Sequence, residues 1–300
     1  LVIVGIIGFV SWKLCLVVID PVVPSIDEAM DCELGKKAFD VEWYEGLEKR
    51  AFEIMTKRGY PISCTLLKSP TSQNKVSIIC HGFSFNHIGS IKYARMFIEK
   101  GYDVLIYDHR NCGNSGGKFT TMGFFEEQDL GEVISWVKEN YGEGGRIGVH
   151  GESMGAATAL IRGMKQDSGV DFIIADCGFR SLNLQLQHNL KKEYKLPGFP
   201  FVNGVSAFTG LLAGFRFSEV NPIEAIKSGR KDVPVLLIHG LADDYILPEN
   251  ARIMFEALGG QKELFLVEGA RHAGSYFKDP AGYEQRVKGF LEKLETAETN

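Results

Sequence analysis

The sequence predicts an α/β fold in which a mostly parallel sheet carries helices on both faces. Short apolar segments alternate with amphipathic ones from about residue 50 to the C-terminus, which is the pattern of parallel strands buried on both faces. In addition, an apolar strand turns abruptly into a helix of small residues at Gly151-Glu152-Ser153-Met154-Gly155. Because chemistry in such sheets gathers where the strands end, we expect the functional site at their carboxyl edge.

The elements of this fold follow in order along the chain. A hairpin of strands 50–56 and 62–68 turns at Lys57-Arg58-Gly59-Tyr60, where glycine permits a tight turn. Further strands are predicted at residues 75–80, 102–107, 146–150, 171–175, 233–239 and 263–267. Helices are predicted at residues 91–99, 124–141, 154–165, 249–258 and 283–294.

Composition limits the classes of function. The chain has 300 residues, 45% of them hydrophobic, which suits one large domain with an ample core. A formal net charge of −5 without a basic stripe predicts no nucleic-acid partner. The six cysteines are scattered singly, which favours reduced core residues over a disulfide framework or a zinc site. We expect no metal.

The N-terminal segment, residues 1–45, lies outside the predicted α/β domain of residues 46–300. Residues 1–19 form an apolar run, interrupted by Lys13, that is just long enough to cross a bilayer as a helix. No cleavage signal follows, so we expect a retained membrane anchor and a membrane-associated protein. The alternative is a helix packed on a cytoplasmic domain, and an acidic connector over residues 26–45 joins either to the sheet.

The turn at residues 151–155 has the layout of a nucleophile elbow. The serine of such a turn adopts a strained backbone conformation that only small neighbours tolerate, so glycine is needed two residues before and after it. Ser153 is therefore the predicted nucleophile, at the positive end of the helix that follows. A second G-x-S-x-G pattern surrounds Ser115, but no strand enters it directly and no helix leaves it, so we assign it to a flexible glycine-rich loop.

A serine nucleophile needs a base, and the base needs a carboxylate that holds its tautomer. With this elbow the order along the chain is serine, acid, histidine. His272 alone lies beyond the best acid, in a loop between the last strand and the last helix. Asp243 follows a buried strand and is the predicted acid, with its neighbour Asp244 as a turn cap. Asp244 and Asp176, which follows strand 171–175, are the alternative acids.

Backbone N–H groups should stabilise the oxyanion of the tetrahedral intermediate. The first is the N–H of Met154, directly after the nucleophile. The second is the N–H of Phe83, in the loop after strand 75–80, where Gly82 lets the backbone approach. The side chain of His81 is expected to form a structural hydrogen bond there.

Residues 178–231 interrupt the alternation of strands and helices and contain an apolar stretch from Val202 to Phe217. We expect a small helical lid, inserted before the last two strands, that covers the site and contributes to substrate choice; the alternative is a second core segment. Phe83, Phe208 and Tyr245 are the predicted substrate contacts.

With these residues placed, the chain from about residue 50 resembles the α/β-hydrolase superfamily, and within it bacterial lysophospholipase-like and serine-aminopeptidase-like esterases. The resemblance rests on His81-Gly82-Phe83, the elbow at residues 151–155, His239-Gly240 with Asp243-Asp244, and Gly269-Ala270-Arg271-His272. Ile173-Ile174-Ala175-Asp176-Cys177 is similar to a segment of membrane-anchored hydrolases of mostly unassigned substrate. The resemblance implies an α/β-hydrolase fold and a serine mechanism.

The first functional hypothesis is a serine hydrolase that cleaves carboxylic esters through an acyl-enzyme at Ser153. A peptidase or amidase with the same three residues is the alternative within enzymes, so the substrate is a small acyl ester or a short peptide. A third hypothesis is a non-catalytic ligand-binding protein on a hydrolase scaffold. No metal or organic cofactor is implied.

Overall fold

The computed structural model of the protein describes residues 1–142 and 144–298. Its centre is an eight-stranded sheet in the order β1-β2-β4-β3-β5-β6-β7-β8. β1 and β2 form the antiparallel hairpin, β2 is antiparallel to β4, and all later pairs are parallel. The strands are Lys49–Met55, Pro61–Leu67, Lys75–Cys80, Tyr102–Tyr107, Arg146–Glu152, Phe172–Asp176, Val235–Gly240 and Lys262–Val267. The predicted α/β fold is confirmed.

Helices cover both faces of this sheet. In chain order they are α1 Val2–Ile19, α2 Ile26–Gly35, α3 Val41–Glu45, α4 Ile91–Ile98, α5 Glu126–Tyr141, α6 Met154–Gly163, α7 Leu182–Glu193, α8 Gly198–Leu212, α9 Pro222–Ser228, α10 Glu249–Ala257, α11 Ser275–Lys278 and α12 Pro280–Glu298. Short 3₁₀ turns occur at His87–Ser90 and Phe217–Glu219. The last helix begins three residues earlier than the sequence predicts.

The core lies on both faces of the central strands, because consecutive residues of a strand point in opposite directions. Ile78 of β3 and Val149 of β5 are fully buried against the helices of one face. Ile79 and Ile174 are fully buried in a separate cluster on the other face. β5 lies between β3 and β6, so the loops after these three strands meet at one edge.

The insert between β6 and β7 forms three helices, α7, α8 and α9. The sequence predicts a helical insert at this place. α8 turns the stripe Val202, Val205 and Thr209 inward, a spacing of three and four residues that defines one helix face. Val202 and Val205 of this stripe pack in a third core cluster with residues of α1, among them Leu14 and Cys15.

The N-terminal segment is more structured than the sequence analysis expects. Part of the predicted acidic connector is α2, whose N-terminus carries a capping box: the Ser25 hydroxyl accepts a hydrogen bond from the Glu28 N–H (3.2 Å), and the Glu28 carboxylate accepts one from the Ser25 N–H (2.8 Å). A serine followed three residues later by glutamate is a sequence signal for a helix start.

α1 has two different halves. Its second half is buried at Ser11, Leu14, Cys15 and Ile19, and the Ile19 carbonyl accepts a hydrogen bond from the Thr120 N–H (2.8 Å). In its first half the exposed apolar side chains are Val2, Ile3, Val4, Ile6 and Phe9, and Leu1 just before the helix is exposed as well. Among the described residues α1 is the one single helix long and apolar enough to cross a membrane.

Asp176, the last residue of β6, is a buried carboxyl group beneath the strand ends. Its Oδ1 accepts a hydrogen bond from the Ser275 hydroxyl (3.2 Å). Burial, together with the nearby charge of Glu152, raises the pKa of Asp176 to about 7. The folded protein therefore holds a proton on Asp176 over a pH range in which the unfolded chain has lost it.

This difference gives a sign to the pH dependence of stability. Between about pH 4 and 7 the folded state binds the extra proton, so Asp176 makes the free energy of unfolding fall as pH rises. We expect Asp176→Asn to remove this loss. Relative to the unmodified protein, the variant should gain roughly 3 kcal/mol on going from pH 5 to pH 8, at about 1.4 kcal/mol per pH unit below the folded pKa.

The measurement is chemical denaturation at the two pH values. Asp31→Asn, on the exposed side of α2, is the control and should show no comparable change between them. An Asp176→Asn advantage that stays constant from pH 5 to pH 8 would contradict the prediction.

Candidate active site

The elbow at the end of β5 sets the position of Ser153. The residue has φ 56° and ψ −112°, a backbone conformation that is strained for any residue with a side chain. It reverses the chain from β5 into α6 at a single residue, and the Ser153 N–H donates to the Asp176 carbonyl of β6 (2.8 Å). The hydroxyl therefore stands at the carboxyl edge of the sheet, although Ser153 is only 8% exposed.

The glycines of this turn are required by close approach. A Cβ at Gly151 would lie 2.2 Å from the Gly155 carbonyl oxygen, and a Cβ at Gly155 would lie 2.1 Å from the carbonyl oxygen of Cys80 in β3. No side chain fits at either distance. The spacing G-x-S-x-G is thus a packing requirement of the turn.

The structure brings Ser153, His272 and Asp243 into one hydrogen-bonded chain. Ser153 Oγ lies 3.0 Å from His272 Nε2, and His272 Nδ1 lies 2.8 Å from Asp243 Oδ2. The carboxylate can only accept, so Nδ1 carries the proton and Nε2 is left free to accept one from the serine. Ser153, Asp243 and His272 follow β5, β7 and β8, respectively. Ser153 is 119 positions from His272 in the chain, and Asp243 is 29 positions from it.

Asp243 is held in its ionised form by its surroundings. Burial alone would raise its pKa, but hydrogen bonds from His239, His272 and the Ile246 N–H outweigh burial and keep the pKa of Asp243 well below its usual range. Its Oδ1 accepts from the N–H groups of Tyr245 (3.0 Å) and Ile246 (2.9 Å). Asp243 thus caps its own turn as well as facing His272.

His239 is a member of this cluster that the sequence analysis missed. It is fully buried at the end of β7, with Nε2 2.8 Å from the Ile246 carbonyl oxygen and 3.3 Å from Asp243 Oδ2. The available signal was its position four residues before the acid. It supports the same turn that presents Asp243.

The two alternative acids lie elsewhere. Asp244, expected to cap the turn, is instead exposed and forms an ion pair with Lys192 of α7 (2.9 Å), because the cap is already supplied by Asp243. Asp176 accepts a hydrogen bond from the Ser275 hydroxyl (3.2 Å).

The second patterned serine is a structural residue. Ser115 Oγ donates to the Asp108 carbonyl (2.6 Å) and accepts from the Ser63 N–H (2.8 Å). The loop that was expected to be flexible is therefore tied to the sheet, and its hydroxyl is already engaged.

The two expected oxyanion donors lie beside the serine. Met154 is the first residue of α6, so its N–H has no partner within the helix. Phe83 is in the loop after β3, where a Cβ on the preceding Gly82 would lie only 3.6 Å from Ser153 Cβ. His81 makes the structural contacts expected of it: Nδ1 lies 2.7 Å from the Gly82 carbonyl oxygen, and Nε2 accepts from the His109 N–H (2.9 Å).

An open cleft exposes Ser153 and His272 to solvent. Gly82, Phe83 and Tyr245 line it together with charged residues, including Lys92 and Glu152. Lys92 Nζ lies 2.9 Å from the Glu152 carboxylate, which also accepts from the Tyr93 hydroxyl. Burial would raise the pKa of Glu152, but Lys92 and Tyr93 outweigh it and the pKa is lowered. No sequence pattern indicates this pair beyond the position of Glu152 directly before the serine.

A second, mostly apolar cavity adjoins this cleft, and Phe83 and Tyr245 line both. The ring of Tyr245 lies against that of His272, with 4.9 Å between the ring centroids. Two of the three expected substrate contacts therefore face the site. Phe208 does not line either cavity, because α8 turns its Val202, Val205 and Thr209 stripe inward and Phe208 lies off that stripe.

One set of side chains near the site has metal-ligand chemistry. Cys177, Asp243 and His272 offer three atoms within 4.8 Å of one another. His272 Nδ1 and Asp243 Oδ2 are bonded to each other, however, and burial raises the pKa of the Cys177 thiol well above its usual value. Since a metal is bound by thiolate, this set fits a hydrogen-bonded chain better than a metal site.

Several known proteins are similar to this chain in sequence. Residues 42–191 match the family described as X-Pro dipeptidyl-peptidase (S15 family). The uncharacterized protein YqkD of Bacillus subtilis (strain 168) is 41% identical over 254 residues, which cover 84% of this chain and 82% of YqkD. The α/β hydrolase domain-containing protein 17B of Xenopus laevis is 24% identical over 77% of this chain and 73% of its own.

Among solved structures, the Pyrococcus furiosus esterase Pf2001 superimposes with a TM-score of 0.67 and 28% identity, covering 85% of this chain and 94% of the esterase. XC6422 of Xanthomonas campestris, an α/β serine hydrolase without a lid, superimposes with a TM-score of 0.56 at 20% identity over 80% of this chain and 93% of its own, which shows the fold alone. By these matches and its eight-stranded sheet, the chain belongs to the α/β-hydrolase superfamily and, through residues 42–191, to the family described as X-Pro dipeptidyl-peptidase (S15 family).

Proposed function

We propose that this serine hydrolase cleaves carboxylic esters, with Ser153 as nucleophile, His272 as general base and acid, and Asp243 as the group that holds the His272 tautomer. The observation that carries the proposal is the unbroken chain from Ser153 Oγ to His272 Nε2 (3.0 Å) and from His272 Nδ1 to Asp243 Oδ2 (2.8 Å). A hydroxyl within reach of an oriented imidazole can lose its proton as it attacks a carbonyl carbon.

The reaction then takes two steps. Ser153 Oγ bonds to the ester carbonyl carbon while His272 Nε2 takes its proton, and the N–H groups of Met154 and Phe83 stabilise the oxyanion. His272 returns the proton to the leaving alcohol as the C–O bond breaks. Water repeats the sequence on the acyl-enzyme: His272 removes its proton, and the acid product leaves as Ser153 regains one.

Esters are favoured over other acyl substrates by two observations. The cavity next to the serine is mostly apolar, which suits the acyl chain of an ester. The solved structure that resembles this chain at 28% identity is an esterase. A peptidase acting at X-Pro sequences is the second candidate, since the family that matches residues 42–191 carries that description.

We also propose that the protein is membrane-associated through the first half of α1. Val2, Ile3 and Val4 are each more than 70% exposed, and such a continuous apolar surface is costly to leave in water. A cytoplasmic protein is the alternative.

The nucleophile can be tested by exchanging each patterned serine. Ser153→Ala should lower ester hydrolysis about 10³-fold or more, because the serine, histidine and aspartate act as a unit. Ser115→Ala should keep most of the activity and lose only about 1 kcal/mol of stability with its hydrogen bonds. The measurements are p-nitrophenyl butyrate hydrolysis and labelling by a fluorophosphonate. A Ser115→Ala protein that resists labelling, or a Ser153→Ala protein that accepts it, would contradict the assignment.

The acid can be tested by changing two adjacent aspartates, the buried Asp243 and the exposed Asp244. Asp243→Asn leaves the side-chain shape but removes the acceptor for His272 Nδ1–H, so kcat should fall about 10³-fold to 10⁴-fold. Asp244→Asn removes only the exposed ion pair with Lys192 and should change kcat less than twofold. Both rates are measured on the same ester. Equal losses in the two variants would assign the acid role to neither.

The substrate class can be tested with esters and peptide analogues of one enzyme preparation. On p-nitrophenyl esters from acetyl to hexanoyl, kcat/KM should rise about fourfold per methylene, the equivalent of about 0.8 kcal/mol for each buried CH₂. Alanyl-prolyl p-nitroanilide should be hydrolysed far more slowly. A higher kcat/KM for the anilide, with no dependence on acyl length, would favour the peptidase instead.

A further inference from the structure

The mostly apolar cavity beside the site is walled on one side by the N-terminal helix. It has a volume of about 180 Å³, and Leu14, Val17 and Val18 of α1 line it. These residues are spaced by three and four positions, so they form one stripe on the helix surface. The helical insert supplies the opposite wall, with Val202 and Val205 of α8.

The position of this wall is fixed by the packing of α1. Ser11 and Cys15 of α1 are fully buried. At the crossing with α8, a Cβ on Gly204 would lie 2.4 Å from Ser11 Oγ, so the two helix backbones approach closely where only glycine fits. The C-terminal end of α1 is held through the Ile19 carbonyl, which accepts hydrogen bonds from the Thr120 N–H (2.8 Å) and the Asn111 side chain (3.4 Å). The second half of α1 is therefore packed into the domain.

Two residues are shared between the wall of this cavity and the wall of the cleft at Ser153. Phe83 and Tyr245 line it and also line the cleft that holds Ser153 and His272. Phe83 supplies one of the proposed oxyanion donors, and the Tyr245 ring lies on the His272 ring. Because these two residues line both spaces, the cleft at Ser153 and the apolar cavity are neighbours.

We propose that this cavity is the acyl-chain pocket of the enzyme, and that Leu14, Val17 and Val18 of α1 form its limiting wall. The N-terminal helix is then part of the substrate site. A cavity of about 150 Å³ holds benzene, so this one accommodates an acyl chain of roughly six to eight carbons. The proposal rests on the proposed ester hydrolase function and names the part of the chain that selects its substrate.

The direct test is a fluorophosphonate whose eight-carbon chain ends in a diazirine. Ser153 Oγ displaces fluoride from phosphorus, which fixes one end of the chain at the serine, and irradiation then joins the other end to whatever lies beside it. Trypsin cleaves after Lys13, so the wall falls in a peptide of residues 14–36. We expect photoadducts on this peptide, located by tandem mass spectrometry at Leu14, Val17 or Val18.

The outcomes separate the pocket from the reaction. Photoadducts that spare residues 14–18 while Ser153 is labelled overturn the proposed wall and leave the ester hydrolase intact. Failure of the probe to label Ser153 counts against the proposed function itself. The same probe on Ser153→Ala protein gives the background of photoadducts formed without attachment.

A matched pair of valines on α1 provides a second, kinetic test. Val18→Trp fills the cavity and should lower kcat/KM for p-nitrophenyl octanoate at least tenfold, with the acetate changed less than twofold. Val4→Trp makes the same exchange on the exposed half of the helix and should leave both substrates unchanged. Leu14→Ala enlarges the cavity and should move the preferred chain to greater length. An octanoate-to-acetate ratio unaltered in both Val18→Trp and Leu14→Ala would overturn the proposal.

Discussion

The backbone conformation of Ser153 is the constraint on which the rest of the site depends. Its positive φ turns β5 into α6 at one residue and presses the start of α6 against the end of β3, where Gly155 leaves no space for a side chain. Because β5 lies between β3 and β6, the loop that carries Phe83 is held beside the hydroxyl. The strain at the serine is tolerated because β5 is held between the buried strands β3 and β6.

Around Ser153 the buried polar groups are paired with one another. Asp243 divides its two oxygens between the backbone of its own turn and the imidazole of His272. His239 adds a second imidazole beneath it, which helps to keep a buried carboxylate ionised. Lys92 does the same for Glu152 on the other side of the serine. The cleft thus contains buried charges that are paired before any substrate arrives, as low-polarity surroundings require.

Much of the fold and the positions of Ser153 and His272 could be predicted from the sequence, since apolar runs and a glycine pattern are local signals. Every strand lies within two residues of its predicted bounds. The choice between Asp243 and Asp244 could not be derived from residue type; the structure separates them by which carboxylate the turn backbone and His272 can reach. The place of Phe208 outside the inward stripe of α8 could not be derived either, because that stripe is set by the packing of α8 against α1.

The N-terminal helix was beyond sequence reasoning for a different reason: it is apolar on every side, so no polar face indicates which way it turns. The structure divides it near Ser11 into a half exposed outside the domain and a half that packs on α8. These halves tolerate change differently. In the exposed half, one large aliphatic residue can replace another, because only hydrophobicity matters there. In the second, shape also matters, and hydropathy profiles of related sequences would look alike even where the volumes at positions 14, 17 and 18 had diverged.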